Sequence, residues 1–275
     1  MKKILFLLTM VALLTTGCAN EFNRVYKTTD YSYKYDYAKE CFARGKYTQA
    51  VTLLTDLVVV QKGTDNAEEC LYMLAMAEYC NKNYQTASEV FRKYFQTYPR
   101  GQYAEMALYY VGQSLYMGTP EPRLDQSPTV AAIAAFQEYL DVYPEGKMRG
   151  TSQQRLFELQ DKLIQKEYLS AKLYYNLGSY FGNCTNGGNN YEACIITAQN
   201  ALKDYPYSNL REDFSLLVMK SKFELAVMSV ESKKLDRFQN AEDECYGFIN
   251  EFPESKNVAL AKKYIERCKQ ITKNT

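Results

Sequence analysis

Histidine and tryptophan are both missing from the 275 residues. Without histidine the chain lacks the commonest general base at neutral pH, the Ser-His and Cys-His nucleophile systems, and the favoured zinc ligand. Cysteine occurs eight times, but no pair has CxxC or zinc-finger spacing, so no metal site is expected. An excess of either charge is missing too: 33 Lys and Arg stand against 32 Asp and Glu. Without a basic excess, nucleic acid is not an expected partner. Strand patterns are lacking as well. Val51 to Val60 is the one β-branched stretch, and Leu53, Leu54 and Leu57 keep helical spacing within it, so it reads as buried helix.

The remaining routes to catalysis fail on geometry. Glu68-Glu69 and Asp243-Glu244 are neighbours on helical segments, so their side chains diverge by about 100° and do not converge on one substrate atom. The string Asn183-Cys184-Thr185-Asn186-Gly187-Gly188 is turn-like and lacks the lysine of a phosphate loop. The chain is read as a non-enzyme with no catalytic residue and no cofactor beyond a covalent lipid. Tyrosine, at 26 copies, is what the composition offers instead: large amphipathic contact area for packing and for interfaces.

The N-terminus is a targeting segment. Met1-Lys2-Lys3 is positive, and Ile4 to Leu14 is apolar but shorter than the roughly 20 residues a membrane span needs. Leu14-Thr15-Thr16-Gly17-Cys18 then resembles the lipobox of bacterial lipoproteins. The resemblance implies cleavage of residues 1–17 and a diacylglyceryl thioether on Cys18. Each buried CH₂ contributes about 0.8 kcal/mol, so two or three acyl chains anchor stably. No Asp follows the cysteine, which by the enterobacterial sorting rule leans towards the outer membrane. Residues 18–29 are polar and read as a tether. Seven cysteines remain, an odd number, so at least one is free or pairs between chains. Most are expected to be small buried residues on helices. Cys184 with Cys194, and Cys41 with Cys80, are the bridges the pattern allows.

Beyond the tether, helical segments alternate with short breaks in a loose repeat. Tyr47-Thr-Gln-Ala50, Tyr84-Gln-Thr-Ala87, Val130-Ala-Ala132-Ile133, Tyr191-Glu-Ala193 and Phe238-Gln-Asn-Ala241 recur at the start of second helices. About twelve residues later stand the stops Tyr98-Pro99, Tyr143-Pro144, Tyr205-Pro206 and Phe252-Pro253, with Lys62-Gly63 in the first unit. The small residue lets two helices approach, and proline ends the second because it has no N–H and clashes with the preceding turn. One hairpin cannot bury its apolar face alone, so neighbours must stack. The pattern resembles the tetratricopeptide repeat. The expectation is an all-α, tetratricopeptide-like superhelix of about five helical hairpins and roughly ten helices, with N-terminal units over 30–180 and C-terminal units over 181–275.

The aromatic-Pro-x-Ser/Gly stops narrow the family. So does the loop Arg123-Leu124-Asp125-Gln126-Ser127-Pro128-Thr129, which leads into Ala132-Ile133, Phe136, Tyr139-Leu140 and Tyr143-Pro144. With the lipobox, the tether and five units, these resemble the BamD family, lipoprotein subunits of the outer-membrane β-barrel assembly machine. The likeness runs over essentially the whole mature chain. It departs at the Phe181–Asn190 loop, and at Tyr207, where the family has a charged or small residue. The resemblance implies a scaffold at the periplasmic face of the outer membrane. Its N-terminal units would recognise unfolded barrel precursors, and its C-terminal units would bind the POTRA region of a BamA-like barrel protein. Stacked hairpins present a groove suited to an extended peptide. Its candidate residues on first helices are Tyr35, Glu69, Tyr72, Tyr79, Tyr109 and Gln113. Arg123 and Asp125, two apart in a proline-flanked loop, either pair to fix that loop or contact a partner. The alternative is another periplasmic repeat lipoprotein that binds peptide, cell-envelope or glycan partners.

Overall fold

The computed structural model describes residues 21–180 and 189–273. The signal segment, Cys18, Cys184 and most of the Phe181–Asn190 loop lie outside the described residues. After a helical segment at 21–26, eleven helices follow: α1 Tyr31–Ala43, α2 Tyr47–Val60, α3 Ala67–Cys80, α4 Tyr84–Thr97, α5 Ala104–Met117, α6 Ser127–Val142, α7 Arg149–Leu177, α8 Asn190–Asp204, α9 Arg211–Val227, α10 Glu231–Glu251 and α11 Val258–Thr272. No strand occurs among the described residues. The all-α, tetratricopeptide-like reading is borne out as five consecutive hairpins plus a closing helix. The β-branched stretch is the second half of α2, with Leu53, Leu54 and Leu57 fully buried.

The chain forms two compact units. Of the described residues, one takes those up to Pro120 and Ser127–Leu159, the other Glu121–Gln126 and those from Gln160 onward. In the first, α1 to α6 pack each on the next. Its interior runs from Ala38, Ala50 and Leu54, through Ala87, Phe91 and Tyr94, to Leu108, Phe136 and Tyr139. In the second, α8 to α11 pack in the same serial way around Cys194, Phe214, Val218, Met219, Phe238 and Phe248.

The repeated small residue sits where the helices approach. Ala50, Ala87, Ala132 and Ala241 are all fully buried. The fourth unit corrects the expected register by one residue. Ala193 is half-buried, and Cys194 takes the contact position at 0 % exposure. From Cys194 to Pro206 is 12 residues, the spacing that also separates Ala87 from Pro99, Ala132 from Pro144 and Ala241 from Pro253. Cys41, Cys70, Cys80, Cys194, Cys245 and Cys268 are free thiols. A Cys41–Cys80 bridge therefore does not form. Cys41 lies within reach of Gln49 Oε1 at 3.7 Å instead.

One polar device recurs at the junctions between hairpins. The second residue of α3 is Glu68, and that of α5 is Glu105. Tyr94 Oη donates to Glu68 Oε1 at 2.5 Å and accepts the Tyr103 N–H at 3.1 Å, while Glu68 also accepts the Gln102 N–H at 2.7 Å. One unit later, Tyr139 Oη donates to Glu105 Oε1 at 2.9 Å and accepts the Met148 N–H, and Glu105 accepts the Lys147 N–H. Each set satisfies amide donors that the start of a helix leaves without an intrahelical partner. Gly101 and Gly146 make room for it. A Cβ on Gly101 would fall 2.8 Å from Tyr94 Oη, and one on Gly146 would fall 2.9 Å from Glu105 Oε1.

In the second unit the same task falls to serine. Phe248 stands where Tyr94 and Tyr139 stand, four residues before the aromatic-proline stop. Ser255 replaces the glycine, and its Oγ donates to Glu212 Oε1 at 2.7 Å and accepts the Asn257 N–H at 3.0 Å. Ser208 likewise accepts the Leu210 N–H at 3.0 Å.

Candidate functional site

The sequence-derived candidates divide between a tyrosine-lined face of the first unit and a loop assigned to the second. On α3, residues 69, 72, 73, 76 and 79 share one face by helical spacing. Glu69 is exposed, while Tyr72, Met73, Met76 and Tyr79 are half-buried. Tyr72 stacks on Tyr103 with centroids 4.4 Å apart and an interplanar angle of 12°. Tyr79 meets Tyr110 edge-on at 5.2 Å, and Tyr110 stacks in turn on Phe91 at 5.2 Å. Such offset and edge-to-face pairs hold the rings in fixed orientations. Burial, then the neighbouring Tyr110 and Tyr103, push the Tyr72 phenol up to about 12. It therefore stays a neutral hydrogen-bond donor across the physiological range.

Three candidates sit deeper than the periodicity implies. Tyr35 is 3 % exposed, Tyr109 5 % and Gln113 8 %, so their side chains do not line an open surface as expected. Tyr109 Oη donates to Gln113 Oε1 at 3.2 Å, and Gln113 Nε2 reaches Tyr79 Oη at 3.5 Å, so this pair supports Tyr79 from behind. Burial, then the carboxylate of Glu69, raise the Tyr35 phenol above its usual range. A first-helix tyrosine has both a ring to bury and a hydroxyl to expose, and spacing alone does not say which of the two prevails.

A further polar cluster in the first unit carried no sequence signal. Tyr116 Oη donates to Glu158 Oε2 at 2.5 Å, and Arg155 donates to both at 3.1 and 2.8 Å with its guanidinium over the Tyr116 ring. The Tyr116 hydrogen bond, then that of Arg155, holds the Glu158 carboxyl below its ordinary range. The partners lie about forty residues apart in the chain, a separation no local motif records.

Arg123 and Asp125 are both exposed. The loop that carries them is fixed by one group from α7 and one of its own. Lys166 Nζ donates to Leu124 O at 2.8 Å, and the buried Gln126 amide donates to Glu121 O at 2.7 Å and Leu124 O at 3.1 Å. The Arg123 side chain makes none of the ion pairs found among the described residues. Among the described residues no group of three or more Cys, Asp or Glu could hold a metal ion. The surfaces described offer rings, neutral hydroxyls, thioethers and cations, which suit non-covalent recognition.

Comparison with known proteins agrees with this chemistry. The family model described as outer membrane lipoprotein (YfiO) matches residues 28–224. The outer membrane protein assembly factor BamD of Caulobacter vibrioides is 21 % identical over 172 residues, which cover 62 % of this chain and 56 % of that protein. The chain thus matches little more than half the length of this curated relative. With a match over most of its length, a serial helical-hairpin fold and the BamD-like loop and stops in place, the chain belongs to the YfiO/BamD family of outer membrane lipoproteins.

Proposed function

We propose that this chain is a scaffold subunit in outer-membrane β-barrel assembly, anchored to the periplasmic face of the outer membrane by lipid on Cys18. In this reading the first unit receives extended segments of unfolded barrel precursors, and the C-terminal hairpins hold the POTRA region of a BamA-like barrel protein. The observation that carries it is the family match over residues 28–224. The name of the Caulobacter relative, an outer membrane protein assembly factor, favours assembly over other envelope roles. The aromatic face of α3 and α5 supports peptide binding, because rings held at fixed angles and neutral hydroxyls bind an extended backbone without reorganising. No catalytic step is assigned. Among the described residues no helix is long and apolar enough to cross a membrane, and the proposal places membrane attachment at Cys18.

The test is affinity purification of the tagged full chain from detergent-solubilised membranes. A barrel protein with POTRA domains should co-purify, and depletion of the chain should lower outer-membrane barrel levels. Recovery of the chain without any such barrel protein would sink the assembly reading. The anchor is tested separately. Cys18→Ala should release the chain from the membrane fraction or trap it as uncleaved precursor, and a variant that still fractionates as mature lipoprotein refutes the lipid assignment.

A further inference from the structure

The second unit carries a concavity of its own that the scaffold reading does not use. It encloses about 440 Å³ and is bounded by Arg123, Lys166, Leu169, Ser170, Lys172 and Leu173. Residues 166, 169, 170 and 173 fall on one face of α7 by their i, i+3, i+4, i+7 spacing. The loop from Glu121 to Gln126 closes one side, held by the Lys166 and Gln126 bonds to its carbonyls. Those bonds leave the Arg123 side chain exposed at the rim.

The cations of the concavity, unlike several elsewhere in the unit, face no carboxylate partner. Arg211 pairs with Glu251, Lys222 with Glu244 at 2.5 Å, and Arg237 with Glu192 at 2.9 Å. Arg123, Lys166 and Lys172 take part in no such pair among the described residues, and no carboxylate lines the concavity. Leu124 and Leu173, 58 % and 57 % exposed, add apolar surface beside the cations. Clustered cations next to exposed leucines suit a ligand that carries both carboxylates and apolar side chains.

Spacing chooses between ligand classes. Lys166 and Lys172 are six residues apart on a helix, about 9 Å along its axis at 1.5 Å per residue. That rise matches carboxylates three residues apart on an extended chain, which are separated by about 10 Å. We propose that this bay docks an extended, acidic segment of a partner polypeptide, with carboxylates on Lys166, Lys172 and Arg123 and apolar side chains on Leu124 and Leu173. The proposal stands whether or not the barrel-assembly reading does.

The probe is a short fluorescein-labelled peptide with glutamate at every third position among leucine and serine. Anisotropy is measured on the full chain in a neutral detergent. Binding should saturate and weaken as NaCl is raised. Arg123→Glu with Lys172→Glu should weaken it by about tenfold or more, and the milder Arg123→Gln with Lys172→Gln should weaken it less. Both positions are exposed, so the thermal melts of these variants should match the parent. Lys256→Glu, at an exposed cation outside the bay, should leave binding unchanged. Equal affinity in the charge-reversed variant, an equal loss with Lys256→Glu, or equal binding of a lysine-for-glutamate peptide would each overturn the proposal. So would phosphatidylglycerol vesicles that bind with the same Arg123 and Lys172 dependence while the peptide does not.

Discussion

Replacing Tyr94 by Phe and Gly101 by Ser together should rebuild a hairpin junction that either change alone breaks. In the parent, the Tyr94 hydroxyl gives one bond to Glu68 and takes one from the Tyr103 N–H. Tyr94→Phe removes both. The loss of a hydrogen bond to a carboxylate plus an orphaned amide costs about 2 kcal/mol. Gly101→Ser fails for a different reason: its Cβ would press on the Glu68 carboxylate, the end of a flexible side chain that can shift, and stand 2.8 Å from Tyr94 Oη, on a fully buried ring that cannot swing away. Such overpacking costs about 1–3 kcal/mol. In the double variant the phenol oxygen is gone, and the new serine hydroxyl lies where Ser255 lies in the last junction. It then donates to Glu68 as Ser255 does to Glu212, and accepts the amide two residues on. The double variant should fall within about 1 kcal/mol of the parent, a coupling of about 2–5 kcal/mol against an additivity error of about 0.5. Urea unfolding of a chain lacking residues 1–18, followed by far-UV circular dichroism, measures all four corners of the cycle. If the double variant loses the sum of the two single losses, the tyrosine-glycine and serine junctions are not equivalent and the shared-hydroxyl account is wrong.

Alkali should unfold the first unit through its buried phenols. Burial, with Glu105 adding to it, pushes Tyr139 up to about 12 from an ordinary 10.0. Its contribution is fully present below pH 10 and is lost as pH rises towards 12, at up to about 1.4 kcal/mol per pH unit for each such group. Tyr139→Phe should be less stable at neutral pH yet show a shallower loss above pH 10, and an unchanged slope refutes the assignment. At the α3–α4 turn, Lys82 holds φ at 64°, where the α1–α2 turn has Gly45 at 73°. Lys82→Gly should raise stability by up to about 1 kcal/mol in the same urea assay, and a loss of stability would show that the side chain makes a contact worth more than the strain. Burial raises the thiols of Cys70, Cys194, Cys245 and Cys268, and that of Cys80 as well, but Cys80 is only partly covered and a Tyr47 hydrogen bond offsets part of its rise. Maleimide should therefore label Cys80 before those four in the native chain, and peptide mapping that finds Cys194 modified first contradicts the packing. Cys194→Leu should cost about 1–3 kcal/mol by overpacking, and the half-buried Ala193→Leu about 0.5 or less. The reverse order would restore the register first read from the repeat.

What could be read in advance depended on whether a signal was local. Helical period, proline stops and a small residue at each hairpin are all short-range features, so the hairpins emerged with their ends nearly in place. The fourth unit shifts by one residue because alanine is not the only marker: any small apolar side chain can fill that contact. The fixed spacing to proline singles out Cys194. Lys166 was invisible for the opposite reason. It pins carbonyls about forty residues upstream, and nothing in its own neighbourhood announces that. Tyr109 and Tyr110 mark the limit of periodicity, since adjacent residues of one type lie one buried and one half-buried according to how α5 is rotated against α6. The junctions fall between these cases. Their two forms stand in the sequence as Tyr-x-x-x-Tyr-Pro-x-Gly at 94–101 and 139–146 and as Phe-x-x-x-Phe-Pro-x-Ser at 248–255, where loss of the phenol coincides with gain of the serine. That exchange reads as drift until both hydroxyls are seen to reach the second-residue glutamate of a first helix. A repeat protein can therefore keep one atom in place while changing which residue supplies it.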